Sequence, residues 1–127
     1  MKQFTSKIKI SSSGLKIQNI TYLVKQGVIN SKIENGILNL SILNTTASLI
    51  VQENADPDVL LDIENFFKKI VPMNEKYNHS SEGKDDMPAH IKSVLTNTNL
   101  TLSIIDGDVQ LGIWQGIYLF EHREVKK

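Results

Sequence analysis

Two hydrophobic periods divide this chain. Phe4, Ser6, Ile8 and Ile10 occupy even positions with Lys7 and Lys9 between them, the alternation of a strand with one wet face. Ser11-Ser12-Ser13-Gly14 marks a turn, and Leu15-Lys16-Ile17 reads as the returning strand. Thr21 is placed to cap a first helix whose face is Leu23, Val24, Val28 and Ile29, ending at Asn35-Gly36. Ile37 to Leu43 and Ala47 to Val51 are strand-length apolar runs, expected to pair or lie side by side. The period then changes. Val59, Leu60, Ile63, Phe66, Phe67, Ile70 and Val71 recur at helical spacing, with Asp56 to cap, Pro57 at the first position, Lys68 and Lys69 near the end and Pro72 as the stop.

Met73 to Lys84 is polar and reads as a surface loop. A short third helix is expected to open at Pro88, with Asp85, Asp86 or Met87 at or before its cap, and to run through Ile91, Val94 and Leu95. Leu100 to Ile105 and Val109 to Glu121 read as a final strand pair joined by Asp106-Gly107-Asp108. The sum is one α+β domain over residues 1–127, a mainly antiparallel β-sheet sandwich with two to three helices.

Composition narrows the function. Fourteen basic residues balance fourteen acidic ones, so no net field draws the chain onto nucleic acid or an anionic membrane. The absence of cysteine removes thiolate catalysis, iron–sulfur clusters and cysteine zinc sites. No apolar run approaches the roughly 20 residues of a membrane span, and Met1 to Ile10 lacks a continuous apolar stretch, so a cytoplasmic protein is the simplest expectation.

Candidate chemistry concentrates between residues 79 and 90. His79, Glu82, Lys84, Asp85, Asp86 and His90 bring two imidazoles, carboxylates and an ammonium to the start of a helix. Amides of Ala89, His90 and Ile91 at that helix start would suit a phosphate, although Asp85 and Asp86 would then require a bridging divalent cation. Either Asp also suffices as a helix cap, which needs no ligand and is the simpler reading. His79 and His90 lack the i, i+4 spacing of a helical zinc pair. Gly112 and Gly116 flank Ile113-Trp114-Gln115 and imply a bulge or a close backbone approach. Trp114 and Tyr118 read as core or interface aromatics, and Gln115 as an amide for a substrate or for backbone groups.

Four blocks carry a resemblance: Asn44-Thr45-Thr46-Ala47-Ser48-Leu49, Glu53-Asn54-Ala55-Asp56-Pro57, EGKDDMPAHIK at Glu82 to Lys92, and LGIWQGIYLFEHR at Leu111 to Arg123. In order and content the chain resembles the YjbQ family, whose members are described as secondary thiamine-phosphate synthase enzymes. The resemblance implies a homotrimer with a polar pocket, and a reaction joining a pyrimidine methyl diphosphate to a thiazole phosphate with release of pyrophosphate. On that reading His79, His90 and Asp86 are catalytic, and Asn44, Thr45, Lys84 and Gln115 contact a small phosphorylated heterocyclic substrate. Asp85, Asp86, His79 and His90 are then candidate ligands for Mg²⁺ or another divalent cation. The alternatives are a metal-dependent hydrolase acting on a phosphate or amide, and a non-catalytic ligand-binding homotrimer.

Three positions depart from the family pattern. Asn44 stands where His is usual, and since an amide is a poor transition-metal ligand, zinc affinity is expected to be weakened. Ile113 replaces a Thr beside Trp114. Relatives continue past Glu121-His122-Arg123 into a further basic strand, whereas this chain ends at Lys127, which implies an unpaired sheet edge.

Overall fold

The computed structural model describes residues 1–11 and 14–124. The elements run β1 (Ile17–Asn19), α1 (Thr21–Ser31), β2 (Gly36–Ser41), β3 (Ala47–Glu53), α2 (Pro57–Ile70), α3 (Asp86–Leu95), β4 (Asn99–Ile105), β5 (Asp108–Val109) and β6 (Gln115–Glu121). They build two antiparallel three-stranded sheets, β1-β6-β3 and β2-β4-β5. The α+β expectation therefore holds. Both sheets contribute to one core, in which Leu49, Ile104, Val109 and Ile117 meet Ile20, Val24 and Val28 on the α1 side.

Local signals account for the best-defined elements. Asp56 Oδ1 accepts from the Asp58 amide at 2.9 Å and Pro57 follows, so α2 starts where a cap and a fixed φ coincide. Asp106 and Gly107 both take positive φ, 53° and 79°, which turns β4 tightly into β5.

Five expectations need correction. Residues 4–10 form no strand, and among the described residues they join neither sheet. Ser12 and Ser13 of the expected turn lie outside the described residues, as do Val125, Lys126 and Lys127. Thr21 is the first residue of α1 and not its cap; its hydroxyl donates to Asn19 Oδ1 at 2.7 Å and accepts from the Ile117 amide at 2.8 Å, tying the helix to β6. That helix stops at Ser31, where Lys32 turns left-handed at φ 58°, before Asn35-Gly36 is reached. β2 and β3 are not partners, because β2 pairs with β4 and β3 with β6. The run from Val109 to Glu121 is likewise two strands: β5 stays with β4, and residues 110–114 carry the chain over to β6 between β1 and β3.

The glycine expectation divides. Gly112 lies in the crossover, while Gly116 sits in β6 under the Tyr118 ring, where a Cβ would meet Tyr118 Cε2 at 3.1 Å and Asn54 Cβ at 3.3 Å. Tyr118 is buried and donates to Glu53 O at 2.9 Å, whereas Trp114 is exposed.

Candidate metal centre

Strand register assembles the site. Ala47 of β3 lies opposite Glu121 of β6, so the residues preceding β3 and those following β6 become neighbours; the His122 amide donates to Thr46 O at 3.1 Å. Helix α3 packs on β3 through small side chains, with Ala89 fully buried and Ser93 Oγ donating to Ala47 O at 3.3 Å. This draws the first turn of α3 against both chain segments.

The helix begins at Asp86, two residues before Pro88, and this changes the chemistry expected there. Asp85 holds the N-cap position, as one of the expected candidates, but makes no side-chain cap bond, and Asp86 is the first helical residue. The Ala89 amide, expected to face a phosphate, donates to Asp85 O at 3.0 Å inside the helix. Asp86 and His90 are instead an i, i+4 pair on one helical face.

Asp86 is buried and holds the centre together. Its Oδ2 lies 2.5 Å from His79 Nε2 and 3.2 Å from His90 Nε2, and its Oδ1 accepts from Arg123 Nη1 at 2.7 Å. The two imidazoles stand edge to face, 5.4 Å between centroids. Contact with His79 and the Arg123 charge hold the Asp86 carboxyl below the ordinary carboxylate range, against the opposing effect of burial. Donor atoms of His79, Asp86 and His90 lie within 4.8 Å of one another, close enough for one metal ion.

Beside this cluster opens a cavity of about 480 Å³ lined by Leu43, Asn44, Thr45, Thr46, Glu82, Asp86, His90 and Arg123. His90 Nδ1 donates to Thr45 O at 3.0 Å, which fixes the ring against the cavity wall. Asn44 Oδ1 accepts from the Thr46 amide at 2.7 Å and from the Thr46 hydroxyl at 3.0 Å, so its side chain shapes the turn into β3.

Other candidate residues stand apart. Asp85 faces Arg123, Nε to Oδ2 at 2.9 Å and Nη2 to Oδ1 at 3.3 Å, and also accepts from the Glu124 amide at 2.9 Å. The guanidinium holds the Asp85 carboxyl down at about 2. Lys84 is exposed and does not line the cavity. Gln115 sits at the opposite end of β6, its Oε1 accepting from the Gly112 amide at 2.7 Å.

Two residues were not foreseen. Arg123 is the first, and nothing in its local sequence marks it, because its meaning comes from segments about forty positions away. The second is His122, which directly follows β6 and is 2% exposed. Its Nε2 lies 2.8 Å from Ser48 Oγ, which is 2.6 Å from Thr96 Oγ1, which in turn is 2.8 Å from Lys92 O. Thr96 Oγ1 donates to Ser48 Oγ, so His122 is tied through two hydroxyls to the end of α3, and among the described residues its Nδ1 is buried with no hydrogen-bond partner. Burial, then the charges of Lys92 and Lys16, push its pKa down to about 3.

Comparison with known proteins agrees with this architecture. A model of the UPF0047 protein YjbQ-like family matches residues 6–127. A UPF0047 protein of Synechocystis sp. is 43% identical over 124 residues, covering 97% of this chain and 84% of its own. The UPF0047 protein YjbQ of Escherichia coli O157:H7 is 45% identical over 107 residues, 80% of this chain and 78% of that one. A crystal structure of an uncharacterized conserved protein of the YjbQ/UPF0047 family from Clostridium acetobutylicum superposes with a TM-score of 0.81 at 37% identity, covering 89% of this chain and 85% of that chain. A conserved hypothetical protein from Thermus thermophilus gives 0.80 at 30% identity, with 91% and 88% covered. With the family model matched over nearly its whole length, this chain belongs to the YjbQ-like UPF0047 family.

Proposed function

We propose that this protein is a divalent-metal enzyme acting on small phosphorylated heterocycles, and that it couples a pyrimidine methyl diphosphate to a thiazole phosphate. The observation that carries the metal reading is the convergence of the His79 and His90 Nε2 atoms on one oxygen of Asp86. Thr45 O can only accept, so His90 Nδ1 bears a hydrogen, and Nε2, 3.2 Å from the carboxylate oxygen, is the ring nitrogen that would face a cation. His79 Nε2 converges on the same oxygen. A proton relieves one of these contacts at a time; one cation serves all three donors.

The donor set fits such an ion. Two imidazole nitrogens and one carboxylate oxygen suit zinc, manganese or iron(II), whereas Mg²⁺ favours oxygen ligands and retained water. Thr45 O orients His90 from behind, as ligand imidazoles are commonly oriented. When bound, the ion would supply positive charge against a phosphate group. His79, Asp86 and His90 would hold it, while Asn44, Thr45 and Thr46 form the wall against which a substrate lies.

In the coupling itself, the carbon–oxygen bond between the pyrimidine methylene and the diphosphate breaks, and the electron pair leaves with pyrophosphate. The thiazole nitrogen lone pair forms the new carbon–nitrogen bond, so no oxidant or reductant is needed. The protein's task is to hold the partners in line and balance charge on the leaving group. The same reading includes a homotrimer, in which exposed Ile113 and Trp114 are apolar side chains available for burial.

The test is turnover by metal-loaded protein given both heterocycles. Equal yields of pyrophosphate and thiamine phosphate, lost in His79→Ala and His90→Ala, are expected. Orthophosphate release that needs no thiazole would replace this reading with the hydrolase. Binding of either heterocycle without turnover would favour the ligand-binding trimer.

A further inference from the structure

The Arg123 guanidinium touches three residues of the segment that leads into α3. Nη1 donates to Asp86 Oδ1 at 2.7 Å, Nε and Nη2 reach the two oxygens of Asp85 at 2.9 and 3.3 Å, and Nη2 also donates to Glu82 O at 3.1 Å. The backbone repeats the connection, with the Glu124 amide on Asp85 Oδ2 at 2.9 Å. Gly83 makes this wrap possible: at φ 112° it takes a conformation that side chains resist, and a Cβ there would stand 3.0 Å from Asp85 Oδ1.

We propose that Arg123 is a positioning residue for the metal centre: by occupying Oδ1 of Asp86 it leaves only Oδ2 for a cation and holds that oxygen within reach of both imidazole Nε2 atoms. This inference rests on the metal reading above.

A carboxylate can ligate through one oxygen or both, and it rotates freely unless something holds it. Here the fork geometry of arginine does the holding, since one planar group reaches Asp85 and Asp86 at once. Asp85, adjacent to the ligand, is thereby an anchor for Arg123 and not a ligand itself. With most of its donors engaged by these contacts, Arg123 acts on a substrate chiefly through Asp86.

Charge and position predict opposite outcomes when Arg123 is removed. A cation near a metal ion repels it, so a purely electrostatic role means tighter metal binding after neutralisation. Arg123 is partly exposed, with side-chain accessibility of 37%, so solvent weakens that repulsion. Loss of an orienting partner behind a ligand typically lowers metal affinity 10–100-fold, on the order of the larger effect.

The experiment is zinc affinity by competition with a chromophoric chelator, with the visible spectrum of the Co²⁺ form, in wild type, Arg123→Gln, Arg123→Lys, Asp85→Asn and His90→Ala. Arg123→Gln is expected to bind zinc about 10–100-fold more weakly and to show an altered Co²⁺ spectrum. Arg123→Lys keeps the charge without the fork, so it should weaken binding as well. Asp85→Asn should act in the same direction and less strongly, because Asp86 and Arg123 remain. Tighter binding in Arg123→Gln, or wild-type affinity and spectrum in Arg123→Lys, would overturn the proposal. A fall in thermal stability of Arg123→Gln with an unchanged Co²⁺ spectrum would also overturn it, since that is what a purely structural contact predicts. If wild type binds neither ion, the metal reading itself fails. If wild type binds, His90→Ala does not, and the Arg123 variants match wild type, only the positioning role fails.

Discussion

His90 Nδ1 donates to the backbone carbonyl of Thr45 at 3.0 Å, a contact between residues 45 positions apart that aims the other ring nitrogen at Asp86. Because a main-chain carbonyl cannot donate, this single bond sets the tautomer of a ring that would otherwise be free to choose.

Replacement of either imidazole should therefore remove metal and leave the fold. His79→Ala and His90→Ala are expected to lose bound zinc by elemental analysis, with circular dichroism unchanged, because both rings are partly exposed and neither belongs to the core. Retained stoichiometric metal in both variants would separate these rings from the centre.

Asn44 lines the cavity next to the cluster without offering a good metal donor. Asn44→His should raise zinc affinity by about tenfold or more, as a third imidazole joins the set, measured by chelator competition. The variant loses the contacts of Asn44 Oδ1 with Thr46, so a small drop in stability is expected alongside. No gain in affinity would show that a side chain at position 44 does not reach the ion.

His122 should impose a pH dependence on stability. Its pKa in the folded chain is about 3, against about 6.5 when unfolded, so the unfolded chain takes up the proton first. Stability from this group is complete above about pH 6.5 and falls as the pH drops toward 3. Between about pH 6 and about pH 4.5 the loss is about 2 kcal/mol. Urea unfolding should show that slope in wild type and a flatter one in His122→Gln, whose amide can still hydrogen-bond Ser48. Equal slopes would mean that the ring is not held neutral.

Gly116→Ala should destabilise by about 1–3 kcal/mol in the same assay, because the new methyl meets the Tyr118 ring and Asn54 in a central strand. Wild-type stability would show that the ring moves aside without cost.

What could be read from the sequence depended on whether the cause was local. The cap and proline at Asp56-Pro57 act within one turn, so α2 was legible end to end. Apolar runs of strand length at Ile37 to Leu43 and Ala47 to Val51 give strands but name no partner, and the two enter different sheets. Val109 to Glu121 reads as continuous because the crossover at 110–114 contains Leu111, Ile113 and Trp114, apolar residues that a strand would also carry. At the site, His79, Asp86 and His90 are recognisable by type. Taking Pro88 as the first helical residue hides the i, i+4 relation of Asp86 to His90, since Asp86 then falls outside the helix. Arg123 was illegible for a different reason: it reaches Asp86 across 37 positions, through a register that only the folded sheets create.

The most direct measurement is anomalous diffraction from crystals grown with zinc or manganese. One strong peak is expected, bound by His79 Nε2, His90 Nε2 and Asp86 Oδ2, with Arg123 still on Asp86 Oδ1. An ordered cluster with no peak between the rings, or an ion ligated by Asp85 in place of Asp86, would contradict the proposed metal centre.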